Sequence, residues 1–167
     1  MPTTPGQLFA FFDELGIEHS TIDHPPFFTV EEGRVWHDKI PGQHGKNLFL
    51  KDKKGQIWLV VVPAEKRADL NRLEKQIGAA RFSFGKPELL MEVLGLTPGS
   101  VTPFGLINDT QKRVKVVLDE DFLQGEWVNF HPLHNAASTT LRTKDLIKFI
   151  EALGYVPRIL DCGSEDG

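Results

Sequence analysis

Six consecutive apolar residues, 57–62 (Ile-Trp-Leu-Val-Val-Val), limit the possible folds of this chain more than any other feature. Such a run predicts a strand that is buried on both faces, because a strand with one solvent-exposed face alternates apolar with polar residues. A polar turn at 53–55 (Lys-Lys-Gly) separates this run from a second apolar segment at 47–52. The two segments therefore predict a β-hairpin.

Helical patterns lie on both sides of this hairpin. At the N-terminus, Thr4, Pro5 and Gln7 have the spacing of a capping box with proline at the first helical position, and Gly16 ends the pattern. Other helices are predicted near 29–32 and over 64–77, 87–94 and 143–153. Other strands are predicted at 17–23, 81–84, 104–107, 114–118, 127–130 and 157–160. This order predicts an α+β fold, a single domain over 1–167 with a mixed, mainly antiparallel, curved or barrel-like sheet flanked by helices.

Charge and composition exclude several classes of protein. The net charge of −4 argues against a protein that coats DNA or RNA without specificity, although residues 46–75 hold eight basic and four acidic side chains. This segment is either an ordinary solvated surface or a mild positive patch. No apolar run reaches the ~18–20 residues that span a bilayer, and the N-terminus has no signal-peptide pattern. Cys162 is the only cysteine, so no internal disulfide can form, and we predict a cytoplasmic protein.

Common cofactor and nucleophile motifs do not occur in the sequence. It contains no G-x-G-x-x-G, no P-loop and no G-x-S-x-G, which argues against a dinucleotide, a nucleoside triphosphate or a serine nucleophile of the usual type. Zinc-ligand spacing is also missing. His131 and His134 lie three residues apart, which leaves a metal hydrolase as a remote alternative.

Three polar segments are candidates for a functional site. Lys46 stands where a loop gives way to an apolar strand, from which an ammonium group can meet a phosphate at the mouth of a cleft. Loop 97–104 holds Gly99 between two prolines, and such a stiff loop can direct N–H groups at a substrate carbonyl. His131 begins the third segment, and its imidazole can orient water near neutral pH. Taken alone, each feature is more typical of a surface lysine, a stiff turn or a structural histidine than of a functional site.

Taken together, these segments resemble the YbaK/aminoacyl-tRNA-synthetase-associated domain family. The similar residues are His24-Pro25, 29–32 (Thr-Val-Glu-Glu), 46–52 (Lys-Asn-Leu-Phe-Leu-Lys-Asp), the G-x-x-x-P loop 99–103 and 131–135 (His-Pro-Leu-His-Asn). The resemblance runs from about residue 8 to 160, short of the polar tail 163–167. It is greatest to the free-standing ProX-type branch, whose members edit mischarged prolyl-tRNA, chiefly alanyl-tRNA(Pro).

This resemblance implies a trans-editing deacylase that hydrolyses the ester of a mischarged tRNA(Pro) without a metal, a cofactor or an acyl-enzyme. Its partner is the 3′ aminoacyl-adenosine end of the tRNA, and prolyl-tRNA synthetase or an elongation factor is a candidate further partner. The alternatives are an editor of Cys-, Ser- or Thr-tRNA, and a non-catalytic module that binds RNA or protein on the same scaffold. No membrane partner is expected.

The resemblance also implies residue roles. Lys46 is expected to hold the phosphate of the terminal nucleotide, while Gly99 and Ser100 present N–H groups to the ester carbonyl. His131 is expected to place the water or the substrate amine. We also expect the Lys46 side chain and the 99–103 backbone to face the same side of the molecule. The expected substrate-binding residues are Asn47, Arg81, Val101, Pro103, Asn135 and, as the wall that excludes larger amino acids, Thr29 and Val30.

Overall fold

The computed structural model describes residues 2–26 and 30–163, and the side chains of Val30 and His37 are outside this description. The helices are Pro5–Glu14 (α1), Val30–Lys39 (α2), Leu70–Ile77 (α3), Pro87–Leu94 (α4) and Thr143–Ala152 (α5). The strands are His19–Asp23 (β1), Gln43–Asp52 (β2), Ile57–Pro63 (β3), Phe82–Phe84 (β4), Val114–Asp119 (β5), Trp127–Phe130 (β6), Ala137–Arg142 (β7) and Arg158–Leu160 (β8). In the described part of the chain, no helix is long and apolar enough to cross a membrane.

All eight strands belong to one mixed sheet in the order β1-β7-β6-β2-β3-β5-β8, and β4 pairs with β2 beside this path. The β1–β7, β2–β3, β2–β4 and β6–β7 pairs are antiparallel, whereas β2–β6, β3–β5 and β5–β8 are parallel. The predicted α+β fold with a mixed sheet is confirmed. The barrel-like form is wrong, because β1 and β8 end the sheet without pairing with each other.

Helices cover both faces of the sheet. One face, which we name the α5 face, carries Phe49, Leu59 and Phe130 against apolar residues of α1, α4 and α5. The other, which we name the α3 face, carries Leu50 and Val60 against α3. Neighbouring side chains of β3 point to opposite faces, and both faces are covered. Every residue from 57 to 62 is therefore buried, as the apolar run predicts.

Local signals predict several element ends correctly. The Thr4 side chain accepts from the Gln7 N–H, and the Gln7 side chain accepts from the Thr4 N–H, so the predicted capping box forms. α4 begins at Pro87 and ends before Gly95, which has a φ of +66°. A positive φ costs glycine little, so the chain can leave the helix here.

Three predictions of secondary structure are wrong. The helix predicted over 64–77 begins only at residue 70, because the Asp69 side chain caps it by accepting from Arg72 N–H. The strand predicted at 104–107 is a 3₁₀ helix, Pro103–Asn108, capped by Thr102. Strand β7 was not predicted at all, although it joins β1 to β6.

A cluster of charges around Lys66 holds the C-terminal segment in place. The Lys66 ammonium lies 2.7–3.0 Å from carboxylate oxygens of Asp119, Asp121 and Asp161. Asp119 is fully buried and also accepts from the Cys162 N–H at 2.9 Å. Burial and the nearby Asp119 carboxylate raise the pKa of the Cys162 thiol to about 12. The thiol is therefore protonated at neutral pH and unsuited to act as a nucleophile.

Asp119→Ala is expected to lower the free energy of unfolding by about 3–5 kcal/mol, because it leaves a largely buried ammonium with fewer partners. Asp121→Ala is the matched control: its carboxylate is 38% exposed, and its loss should cost only about 0–1 kcal/mol. Denaturant titration of both variants measures the difference. Equal losses would show that Asp119 does not hold this cluster together.

Candidate active site where strands β2 and β6 part

Lys46 lies inside a strand and not at its start. β2 begins at Gln43, because Gln43 and His44 pair in parallel with Val128 and Asn129 of β6, a contact between segments far apart in sequence. The half-buried Lys46 therefore has a fixed backbone, with Val62 of β3 as its cross-strand partner. Within the described residues, its ammonium makes no ion pair or hydrogen bond. Lys46 is thus a rigidly placed cation that can bind an anion.

The opening beside Lys46 arises where β2 and β6 separate. Their pairing ends at His44 and Asn129, and β2 next gains a partner on this side only at Leu50, which pairs with Phe84 of β4. The Phe130 ring occupies the space over Gly45, where an added Cβ would lie 2.3 Å from a ring carbon. β2 therefore has no strand on this side between Gly45 and Phe49 among the described residues.

Lys46 and His131 each follow the last β2–β6 pair by two residues. The parallel register ends at His44 and Asn129, and one residue further on the Phe130 ring packs over Gly45. Cross-strand partners share a face, so Lys46 lies with Val62 on the α3 face. Phe130, the last residue of β6, lies on the α5 face, and His131 follows it directly outside the strand.

The His131 ring is held neutral by its surroundings. Burial lowers the pKa of His131 below 6.5, its hydrogen bond to Ala137 opposes this shift, and the nearby His24 and His134 add to it. The Nδ1 atom lies 3.0 Å from the Ala137 carbonyl oxygen, an acceptor that requires Nδ1 to carry the proton. In the neutral ring, the lone pair is then at Nε2, which suits His131 to accept a proton or a hydrogen bond.

This lowered pKa predicts a dependence of stability on pH. As the pH falls, the unfolded chain protonates His131 near pH 6.5, before the folded protein does. The unfolded state then binds more protons, so the free energy of unfolding decreases as the pH falls through this window. Above the window the ionisation of His131 no longer lowers the stability. His131→Gln should show a smaller decrease between about pH 7.5 and about pH 5.5 in denaturant titrations. Identical pH dependence in both proteins would contradict a buried, neutral His131.

His24 and Ser138 extend the polar cluster and were not predicted as site residues. Ser138 Oγ lies 2.8 Å from His24 Nε2, and His24 Nδ1 lies 2.9 Å from the Pro25 carbonyl oxygen. That carbonyl requires a proton on Nδ1, so the Ser138 hydroxyl donates to Nε2. The His24 ring also lies 6.2 Å from that of His131. The buried pair thus fixes residues 24–25 against β7, and the unpredicted β7 is the reason the sequence did not reveal it.

Asn47 joins the G-x-x-x-P loop to β2 from the opposite face. Its Nδ2 donates to the Val101 carbonyl oxygen at 3.1 Å, and its cross-strand partner Val61 belongs to the α5 face. Its Oδ1 is buried and has no hydrogen-bond partner among the described residues. The expectation that Lys46 and the loop face the same side is therefore wrong: they meet the same point of β2 from opposite faces.

The loop itself contains a tight turn. Pro98 followed by Gly99, whose φ is +89°, has the pattern of a type II turn, and the Ser100 N–H donates to the Thr97 carbonyl oxygen at 3.0 Å. The Ser100 amide is thus occupied, contrary to the expectation that it faces the substrate. Gly99 is exposed, so its N–H stays a candidate donor. Pro103 is buried at the start of the 3₁₀ helix and offers no surface to a substrate.

Of the other predicted residues that the structure describes, Arg81 lies far from this cluster along β2. Arg81 is exposed and lies next to the hairpin turn, where its carbonyl oxygen accepts from Lys53 N–H, at the far end of β2 from Lys46. Asn135 is half-buried in the loop after His131. Thr29 lies outside the described residues, and Val30 is known only as the first residue of α2.

No group of three or more histidine, cysteine, aspartate or glutamate side chains in the described ranges is arranged to hold a metal ion. His134, a member of the proposed metal pair, uses its Nδ1 to accept the Ala136 N–H at 3.1 Å. The two histidines therefore have structural hydrogen bonds of their own.

Comparisons with known proteins identify the family of this chain. The aminoacyl-tRNA editing domain family matches residues 24–149, which include both strands at the opening. The prolyl-tRNA editing protein ProX of Acetoanaerobium sticklandii is 38% identical over 148 residues, covering 88% of this chain and 90% of that protein. Prolyl-tRNA synthetase associated domain-containing protein 1 of Mus musculus is 40% identical over 152 residues, covering 88% and 89%.

A solved structure described as a proposed trans-editing enzyme for prolyl-tRNA synthetase has the same fold. It superposes with a TM-score of 0.73 at 20% identity and covers 98% of this chain and 99% of that one. The family match spans most of the chain, and both relatives exceed one third identity over nearly their whole length. This chain therefore belongs to the aminoacyl-tRNA editing domain family.

Proposed function

We propose that this protein is a trans-editing deacylase that hydrolyses the ester of mischarged tRNA(Pro), with alanyl-tRNA(Pro) as its main substrate. The observation that carries this proposal is that β2 and β6 part after His44 and Asn129, and that Lys46 and His131 each follow this last pair by two residues. The Lys46 ammonium can bind a phosphate, and the neutral His131 imidazole can act on the ester next to that phosphate. Family membership and the names of the relatives support the same reaction.

The terminal adenosine binds with its phosphate at Lys46. The aminoacyl ester then lies at the opening beside His131, where the Nε2 lone pair orients a water molecule or the substrate amine. Water attacks the carbonyl carbon, and the bond between this carbon and the ribose oxygen breaks. The products are tRNA with a free ribose hydroxyl and alanine, whose new carboxyl group contains the oxygen of the water. An aminoacyl ester is already activated relative to an amide, so positioning and stabilisation of the oxyanion account for much of the catalysis.

Asn47 and the loop support the opening from the α5 face. The hydrogen bond from Asn47 to Val101 fixes the distance between β2 and the loop, and Gly99 N–H is the remaining candidate donor to the oxyanion. Asn47 Oδ1 is a buried acceptor that a substrate hydroxyl or amine can satisfy. Since an unpaired buried acceptor costs free energy, a substrate that donates to it gains affinity.

Selectivity is proposed to be steric. A pocket that admits a methyl group but not a pyrrolidine ring destroys alanyl-tRNA(Pro) and spares prolyl-tRNA(Pro). Exclusion of a larger group is the effective direction, because preference for one additional methylene yields only about 1–3 kcal/mol. The proposed wall near Thr29 and Val30 stays a prediction, as does assistance from prolyl-tRNA synthetase or an elongation factor.

A deacylation panel tests this function. Wild-type protein should hydrolyse alanyl-tRNA(Pro) far faster than prolyl-tRNA(Pro), seryl-tRNA, threonyl-tRNA or cysteinyl-tRNA, and a chelator should not change the rate. Faster loss of another ester would assign the protein to a different editing substrate. Loss of every ester at the rate seen in buffer would make it a binding module, and loss of activity with the chelator would require a metal.

A further inference from the structure

Phe84 is an unusual residue at the far end of β2. It belongs to the three-residue edge strand β4 and is 66% exposed, whereas Phe82 of the same strand packs against the α3-face core. A single exposed apolar residue is common and needs no function. The position of Phe84 and the charges around it distinguish this one.

Phe84 lies on the same face as Lys46. It pairs directly with Leu50, and Lys46 and Leu50 are separated by an even number of residues on β2, so all three side chains belong to the α3 face. Four residues of strand separate Lys46 from Leu50, a distance of about 13 Å. About four stacked nucleotides at 3.4 Å each span this distance, and fewer do so when the strand is extended.

Cations without ion-pair partners among the described residues lie near Phe84. Lys51, Lys53 and Lys86 line a groove of about 580 Å³ that Phe84 borders, and Arg81 immediately precedes β4. None of the four makes an ion pair with another described residue. Three acidic residues also line the groove. Asp52 is buried and accepts from Trp58 Nε1, Glu92 pairs with Arg113, and Glu88 makes no ion pair with another described residue. The four cations outnumber the remaining carboxylates of Asp52 and Glu88, so this end of β2 has an excess of positive charge on an acidic protein.

We infer that Phe84 is a stacking site for an unpaired nucleotide of the RNA substrate, upstream of the terminal adenosine held at Lys46. The inference rests on the proposed function, because it extends the same substrate along β2. An exposed aromatic ring flanked by cations is the arrangement that binds single-stranded nucleic acid, with the base stacked on the ring and the phosphates near the ammonium groups. A stacking site at Phe84 places Arg81 near the RNA upstream of the terminal adenosine and away from the aminoacyl group.

Binding of uncharged tRNA(Pro) tests the inference without chemistry. Phe84→Ala should raise the dissociation constant by about 5- to 100-fold, the range for loss of one stacked base, and Phe84→Trp should restore binding. Leu123→Ala is the matched control, since Leu123 is 53% exposed and lies in a different part of the fold. It should bind like the wild type.

The salt dependence separates stacking from charge. Lys53→Ala should reduce the slope of log affinity against log salt by about 0.7, the value for one phosphate of a single strand, whereas Phe84→Ala should preserve the slope. Unchanged affinity in Phe84→Ala, or no binding of tRNA by the wild type, would overturn the inference.

Hydrolysis assays separate this inference from the proposed function. The loss of kcat/KM caused by Phe84→Ala should be at least about fivefold larger on alanyl-tRNA(Pro) than on 3′-O-alanyl-adenosine, which lacks the upstream nucleotides. Equal losses on the two substrates would place Phe84 in the site of chemistry and overturn the inference. If the wild type binds tRNA through Phe84 but hydrolyses neither ester, the proposed function is wrong and the stacking site stands.

Discussion

Lys46→Met is expected to lower kcat/KM for alanyl-tRNA(Pro) by about 10- to 100-fold, the effect of losing one charged hydrogen bond to a phosphate. The fold should survive, because the methionine side chain keeps an unbranched apolar stem beside Val62 and no ion pair of the described residues is lost. Single-turnover deacylation measures the loss, and circular dichroism with thermal unfolding checks the fold.

Lys144→Met is the control for charge. Lys144 is exposed on α5 and has the same substitution and the same change of net charge. It should keep the activity of the wild type, so that a general loss of RNA attraction can be told from loss of a specific contact. If Lys46→Met and Lys144→Met are equally active, the phosphate is bound elsewhere.

Asn47→Asp is expected to reduce kcat/KM by about 10- to 100-fold because it destabilises the active position of the 99–103 loop. An unpaired buried polar group costs about 1–3 kcal/mol, and this cost would apply to the conformation in which the loop contacts β2. The substitution places a carboxylate oxygen where Nδ2 now donates to the Val101 carbonyl oxygen. Two acceptors repel each other, so the 99–103 loop should move away from β2.

Gln76→Glu makes the same amide-to-acid change on an exposed position of α3 and should leave activity unchanged. A comparison of the two variants by deacylation and by amide hydrogen exchange of the loop separates a local effect from one of net charge. Wild-type activity in Asn47→Asp would mean that the link between β2 and the loop does not contribute to catalysis.

The accuracy of the sequence-based predictions follows the range of the interactions involved. The capping box at Thr4, the hairpin turn and the stop at Gly95 depend on neighbouring residues, and the structure contains all three. β7 depends on partners far along the chain, and its polar residues Ser138, Thr139 and Thr140 gave no apolar pattern to detect. The helix start at residue 70 depended on a capping bond of Asp69 that competes with residues 64–69 continuing the helix.

Sequence motifs nominate residues of the candidate site but do not give its geometry. Motifs identified Lys46, Asn47 and His131, but only the register of β2 shows that Lys46 and Asn47 lie on opposite faces. The parallel pairing of β2 with β6, which ends two residues before Lys46 and His131, joins segments about eighty residues apart and leaves no local pattern. His24 was visible only as part of a motif, because its partner Ser138 is on the unpredicted strand.

A crystal structure with a non-hydrolysable analogue, an adenosine 5′-phosphate whose 3′ position carries alanine through an amide, tests the central claim most directly. The account predicts the phosphate within hydrogen-bond distance of Lys46 Nζ and the alanyl group beside His131, in the opening between β2 and β6. An analogue bound elsewhere, with Lys46 and His131 both out of contact, would contradict it.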